Sequence, residues 1–466
     1  MSEAETKSLL RVGIEHELAG RVAEAEKIYR RLLIEAPQQP DVPNLLGSIC
    51  AKSDRMEEAE ELFRRAVRLN GDFAEYHKNL AAACRRLGKT DEAIAEARRA
   101  IELEADYAEA YLNLASALID AGRQGEAAAA MARTLEIRPD YAEAHYNLAI
   151  QLLLHGDFER GWKEYEWRTR LKSPIAAREF SAARWDGGDL GGKTILLWGE
   201  QGLGDVIQFV RYVPRVLERG AKVVLEVFMP LVRLFQHSVQ GVKVAIAGQP
   251  LPSFDVHFPI LSLPLALGTT LAAIPAPTPY LAAPAELVRL WGRRFNDGGR
   301  SLRVGLVWAG RRMHINDRNR SMRLNQLAGL KDIAGASFYS LQKGPPRAQI
   351  ADGAFAGRLI DWTDQLDDFA DTAGLMANLD LVITVDTAVA HLAGAIGKRT
   401  WLLLSTPPDW RWLLERSDSP WYPTMQLFRR NRADDWSGVI ASVAEALGRE
   451  IDSRRSDGPA TSDIPS

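Results

Sequence analysis

Four short segments hold side chains whose types and spacing could bind and transfer a phosphorylated group. The sharpest is Val385-Asp386-Thr387-Ala-Val-Ala-His391-Leu-Ala-Gly394. An apolar run, read as a buried strand, ends at Asp386, and a small-residue helix starts at once. The free N–H groups and the macrodipole of a helix start suit a phosphate. Asp386 could take sugar hydroxyls and His391 could face the phosphate. Equally, Asp386 could only cap the helix and His391 could be a satisfied core residue. The second segment is Gly199-Glu-Gln-Gly202-Leu-Gly204-Asp205. Its glycines would let backbone approach a ligand closely. Asp205, opening the next helix, could be a general base for an acceptor hydroxyl, or only a partner of the helix dipole. Its glycine spacing is not a dinucleotide fingerprint. The third segment, Trp308 to Ser321, follows a strand and carries Gly310, Arg311, Arg312, His314, Arg318 and Arg320. It reads as a diphosphate clamp or as an exposed basic loop. The fourth is Leu341-Gln342-Lys343-Gly344, where Lys343 could reach the same diphosphate or sit solvated in a turn.

These segments need strand ends to hold them. Strands are expected at 194–198, 222–227, 242–246 and 256–260, with helices at about 205–218 and 230–238 between them. Alternation restarts after the proline-rich 275–284 stretch. A helix at about 285–296 is expected there, then strands at 303–307, 337–341, 380–385 and 399–404 and helices at 364–378, 387–396 and 436–447. Strands alternating with helices imply doubly wound, mostly parallel sheets, whose ligands sit at the carboxyl ends of the strands. Two such units, at 191–282 and 283–451, would leave a cleft between them.

The first 172 residues follow a different rule. Ala25, Ala59, Ala93, Ala127 and Gly161 recur every 34 residues, as do Gly13, Gly47, Ala81, Ala115 and Ala149, and Gly20, Asp54, Gly88, Gly122 and Gly156. The first two columns would let paired helices approach closely. The third falls where the chain turns and favours positive φ. Tyr29, Phe63, Met131 and Tyr165 would fill the space between helices, with only Ala97 in the third copy. Pro37 and Pro139 end helices. Asn79, Asn113 and Asn147 form another column, which could grip an extended polypeptide or bond locally. Cys50 and Cys84 share a column and read as small core residues rather than a redox pair. The charged stretch Glu57–Arg65 reads as a solvated face.

Composition narrows the classes. The 466 residues suit about three domains. A net charge of -3 argues against a nucleic-acid or anionic-membrane binder. Met1–Lys7 is polar and acidic with no apolar run after it, so no signal peptide is expected. The apolar stretch Leu379–Leu404 is broken by Asp380, Asp386, His391, Lys398 and Arg399, so no membrane span is expected. A cytoplasmic location follows. All 12 tryptophans lie at or after Trp162, which places a change of domain nearby.

The 34-residue period resembles the tetratricopeptide (TPR) repeat family over about residues 5–172, in about five units. It implies a helical solenoid whose concave face takes a protein or peptide partner. Residues 173–190 are expected as a linker, and 452–466, rich in polar residues, Gly and Pro, as a disordered tail. The chain from about 194 to 430 resembles bacterial heptosyltransferase-type glycosyltransferases (glycosyltransferase family 9), in a TPR-fused branch. The matching pieces are Gly204-Asp205-Val206, Gly305-Leu-Val-Trp-Ala-Gly310, Ser340-Leu-Gln-Lys-Gly344 and Asp386-Thr387…His391-Leu-Ala-Gly394. That resemblance implies a GT-B pair of Rossmann-like domains. The reaction implied is inverting, metal-independent transfer from a nucleotide-diphosphate sugar, which is a co-substrate rather than a bound cofactor. Asp205 would match the base, and Asp386, Thr387 and His391 the donor site. The expected donor- and phosphate-binding set is Gly202, Gly204, Gly310, Arg318, Arg320, Ser321, Gln342, Lys343, Asp386, Thr387 and His391. The Arg-rich 311–320 loop departs from the family's Thr- and Lys-bearing loop. The fused array is similar to that of protein O-linked N-acetylglucosamine transferases, which present polypeptides to a GT-B unit. Asp364, Asp367, Asp368 and Asp371 lack the Asp-x-Asp spacing of metal-dependent transferases. Asp371 is read as a helix cap, and no metal site is expected. Two other readings stay open: a TPR scaffold with a non-catalytic transferase domain, and a heptosyltransferase-like enzyme of surface glycans.

Overall fold

The computed structural model describes residues 1–171, 178–275, 278–295, 301–314, 316–431 and 435–456. The chain forms two compact units, Met1–Leu148 and Ala149–Ser466.

The first unit is built of paired helices. They are Glu3–Leu18 with Val22–Glu35, Asp41–Lys52 with Met56–Leu69, Ala74–Arg86 with Thr90–Leu103, and Ala108–Asp120 with Gln124–Ile137. Gly20, Asp54, Gly88 and Gly122 stand between the partners of each pair with φ of 74°, 60°, 78° and 68°. One left-handed residue therefore reverses the chain in every repeat, as the column implied. The small and bulky columns face each other: a Cβ on Gly47 would lie 2.8 Å from the Phe63 ring. Cys50 and Cys84 are fully buried, and burial raises their thiols to about 11 and about 12, as suits core residues. The charged faces form a ladder between repeats, Arg30–Glu58 at 2.8 Å, Arg64–Glu92 at 2.7 Å and Arg98–Glu126 at 3.0 Å. Such exposed pairs contribute at most about 1 kcal/mol each. Two of the three residues of the Asn column, Asn79 and Asn113, bond within the array, and Asn147 is half-buried. Asn79 donates to Asn44 Oδ1 at 2.8 Å, and Asn113 to the Lys78 carbonyl at 3.0 Å.

The second unit holds two parallel sheets. The first comprises β1 (Ala183–Arg184), β2 (Thr194–Trp198), β3 (Lys222–Val227), β4 (Val242–Ile246) and β5 (Val256–Pro259), in the order β1-β5-β2-β3-β4. The second comprises β6 (Leu302–Val307), β7 (Ala336–Ser340), β8 (Leu359–Asp361), β9 (Leu381–Val385), β10 (Thr400–Leu404) and β11 (Met425–Arg429), in the order β11-β10-β9-β6-β7-β8. Neighbouring strands pair in parallel throughout. Near-continuous apolar runs such as Leu381–Val385 and Thr400–Leu404 are buried along their whole length, as sheets covered on both faces require.

Several boundaries differ from expectation. The compact division falls at 148/149 and not near 172, because the helix Phe158–Tyr165 buries its rings inside the second unit. Residues 183–184 of the expected linker add β1 to the first sheet, and Trp185 beside it is buried; 172–177 lie outside the described residues. The C-terminal helix runs Ser437–Ser456, so the helix covers the start of the expected tail, and 457–466 lie outside the described residues. The helix expected at 364–378 is Phe369–Ala377. Its cap is Asp368, which accepts from Ala370 and Asp371 N–H, while Asp371 itself accepts from Arg233. The short strands β8 and β11 were not expected from the sequence.

Candidate site at the strand ends

Strand order reverses once in each sheet. In the first sheet β3 and β4 extend to one side of β2 and β5 returns to the other; in the second, β7 and β8 lie to one side of β6 and β9 returns to the other. Loops diverge at such switch points and leave a crevice at the carboxyl ends of the strands. The segment Gly199–Gly204 follows β2. The Trp308–Ser321 segment follows β6, and Asp386 follows β9. Three of the four segments thus leave their sheets at the reversals.

Two contacts join these segments. Arg320, on the segment after β6, donates Nη1 to the carbonyl of Asp386 after β9 at 3.0 Å. Gly310 makes room for it, since a Cβ there would lie 2.5 Å from Arg320 Nη2. Ser321 Oγ accepts from Gly310 N–H at 2.9 Å and donates to Asp317 at 2.7 Å, which shapes the loop. Between the sheets, the helix Leu203–Phe209 packs on the helix Ala388–Ala395. A Cβ on Gly204 would fall 2.7 Å from His391 Cδ2 and 3.3 Å from Ala388 Cα. Gly204 therefore serves close helix packing rather than close approach to a ligand.

Around this contact lies a buried charge cluster. His391 is buried, shares a 2.9 Å hydrogen bond between Nδ1 and the Tyr422 hydroxyl, and stacks on Trp412 at 5.5 Å. Burial, with Arg411, Arg211 and Arg320 nearby, holds its imidazole well below the usual range, so the ring is neutral. Asp386 is pushed up to about 6, first by burial and then by the charge of Asp409; Trp412, Arg320 and Arg411 pull the other way. Arg411 is buried and donates to Asp205 Oδ1, to Gln208 Oε1 and, at 2.9 Å, to Asp409.

The remaining expected residues divide. Asp205 Oδ2 accepts from Gly202 N–H at 2.8 Å, and Oδ1 is held by Arg411, so the carboxylate both caps its helix and bridges the two sheets. Gly202 is the cap residue of that helix with φ of −78°, not a specially free backbone. Thr387 is the cap residue of the Ala388–Ala395 helix. Arg318 is exposed on the loop. Gln342 is buried and spends its amide on the loop. It accepts from Trp308 and Ala309 N–H at 3.0 and 2.9 Å and donates to the Ala309 and Lys343 carbonyls at 3.0 and 2.9 Å. Lys343 is exposed and donates to the Leu366 carbonyl, not toward Asp386. The sequence reading missed Asp409, Arg411, Trp412 and Tyr422. The segment Asp409-Trp410-Arg411-Trp412 follows β10, so the rule that ligands sit at strand ends could have flagged it.

Two tetratricopeptide repeat models match the chain, one over residues 18–84 and the other over 78–142 and 112–165. The N-terminal part is therefore a TPR array, a scaffold for protein interaction. Among curated proteins, Protein FlbA of Caulobacter vibrioides (strain ATCC 19089 / CIP 103742 / CB 15) is 27% identical over 319 residues, covering 64% of this chain and 53% of that protein. The chain spans about half the length of this relative. Among solved structures, MamA is 23% identical over 34% of this chain and 93% of its own, with a TM-score of 0.30. PilW, a type IV pilus biogenesis factor, is 21% identical over 38% of this chain and 82% of its own, with a TM-score of 0.34. YrrB, a TPR protein with an unusual peptide-binding site, is 18% identical over 36% of this chain and 88% of its own, with a TM-score of 0.30. Among the described residues no helix is long and apolar enough to cross a membrane.

Proposed function

We propose that the second unit is an inverting, metal-independent glycosyltransferase using a nucleotide-diphosphate sugar, and that the TPR array recruits its protein acceptor. The observation that carries this reading is the convergence of Arg320, Asp386 and the start of the Ala388–Ala395 helix on the strand-order reversal of the second sheet. A diphosphate there would meet a guanidinium and helix N–H groups, and charge developing on the leaving group would be stabilised by both. The Asp386 carboxylate would accept hydroxyls of the sugar. In the transfer, an acceptor hydroxyl oxygen bonds to the anomeric carbon. The bond from that carbon to the diphosphate oxygen breaks with its electron pair on the diphosphate, and the hydroxyl proton passes to a base. Asp205 is the candidate base; each of its carboxylate oxygens accepts one hydrogen bond and keeps a second lone pair for the proton.

The test is a panel of nucleotide sugars scored by release of nucleoside diphosphate, with cell lysate as acceptor and Asp386→Ala as control. Release from one donor, abolished by the substitution, supports the reading. Tight binding without release refutes it. The hydrogen-bonded Asp205, the fully spent Gln342 and Lys343, which donates to the Leu366 carbonyl, favour a second reading, in which the unit binds a nucleotide without transfer and the chain acts as a scaffold. Unchanged turnover in Asp205→Asn would remove the base assignment while leaving the transferase reading intact.

A further inference from the structure

We infer that the segment Phe158–Arg170, which ends the repeats, is a positioning element of the candidate site, with Arg168 its principal residue; the activity arm of this inference rests on the transferase reading. The repeat pattern itself marks the segment. Positions 34 apart from Arg168 hold Leu32, Ala66, Ala100 and Thr134, each fully buried in its own repeat. The fifth copy replaces this small or apolar core residue with a guanidinium. Trp162 likewise replaces Glu26, Glu60, Ile94 and Ala128. Both departures face the α/β part of the second unit.

Arg168 is buried and donates Nη2 to Glu200 Oε1 at 2.6 Å and to Ser262 Oγ at 2.7 Å. Its Nη1 donates to Glu166 Oε1 at 2.8 Å and to the Tyr165 carbonyl at 3.1 Å. Glu200 is itself buried, inside the loop that follows β2, two residues before the Gly202 N–H that caps with Asp205. A buried ion pair adds little net stability over apolar residues of the same size, but removing one partner is costly. Its directional hydrogen bonds instead fix where Glu200, and the loop it belongs to, can lie.

The same segment reaches Asp205 from its other side. The Trp162 ring stands edge-on to Trp410 at 5.3 Å and 89°, and Tyr165 meets Trp410 at 6.2 Å. The face of Trp410 lies 4.3 Å from the Arg411 guanidinium, which donates to Asp205. Arg168 thus holds the loop before Asp205, and Trp162 with Tyr165 holds the support of the arginine that binds it.

The test uses the full chain and the paired substitution Arg168→Met with Glu200→Gln, which leaves neither charge buried alone. Hydrogen–deuterium exchange is read at the amides of 202–206 and 410–412, with 381–385 in β9 as the internal reference. The expected result is exchange at least tenfold faster at 202–206 with the β9 amides unchanged. Equal exchange in the parent and the paired variant overturns the inference. If the pair unfolds, shown by exchange throughout β9, Arg168→Lys takes its place. It keeps the charge and loses the two-armed hydrogen bonding, and faster exchange confined to 202–206 is again expected. With any donor the parent consumes, kcat should fall at least tenfold while KM for the donor moves less than threefold, because the donor groups lie on the second sheet. Arg168→Lys should recover part of that loss. A parent that consumes no donor defeats the transferase reading alone, since the exchange measurement still decides the positioning role.

Discussion

Asp386 carries a carboxyl that the fold makes hard to ionise. Its ordinary value is 3.8 and its value in the fold is about 6, set by burial and by Asp409. The sign follows from linkage: the protonated form is favoured by folding, so its contribution is complete below about pH 4 and is lost as the pH rises through about 6. At neutral pH the ionised group lowers stability. Asp386→Asn should therefore raise the melting temperature at pH 7.5 by several degrees and leave it unchanged near pH 3.5, as calorimetry would show. A lower melting temperature at pH 7.5 would mean that Trp412, Arg320 and Arg411 outweigh burial and the charge of Asp409. Donor binding should weaken as the pH falls through about 6, and Asp409→Asn should move that inflection to lower pH by removing the like charge. A residue that lowers stability when charged, at a strand end, is what a binding role would leave behind.

The helices Leu203–Phe209 and Ala388–Ala395 meet without side-chain separation at Gly204. Gly204→Ala would press a methyl group onto His391 and the Ala388 backbone. A loss of about 1–3 kcal/mol is expected from that overpacking, together with loss of nucleotide binding as His391 shifts. Denaturant titration checks the first and calorimetric binding the second; a variant as stable as the parent would show that the helices can part freely. At this scale the sequence was informative wherever a local rule operates. The 34-residue columns placed the turns at Gly20, Asp54, Gly88 and Gly122, and apolar runs placed β2, β3, β6, β9 and β10 to within a residue. Contacts between distant segments left no local mark. Nothing near Gln342 shows that its amide is spent on Trp308 and Ala309, and nothing near Asp205 shows Arg411, which stands 206 residues away. The repeat rule also hid the role of Phe158–Tyr165, because Tyr165 keeps its column while Trp162 and Arg168 leave theirs.

Two compact units with separate cores should unfold as two cooperative blocks. All 12 tryptophans lie in the second unit, so their fluorescence reports that unit alone, while helical circular dichroism reports both. The two probes should give denaturant transitions that do not coincide; coincident transitions would mean that the units unfold as one. For the molecule as a whole, the central claim is that the crevice where strand order reverses in the second sheet binds a nucleoside diphosphate. Calorimetric titration of the full chain with UDP, ADP and GDP, repeated on Arg320→Ala, tests it most directly. One of the three should bind, and Arg320→Ala should weaken it at least tenfold. Binding of none, or equal binding by the variant, would contradict the claim.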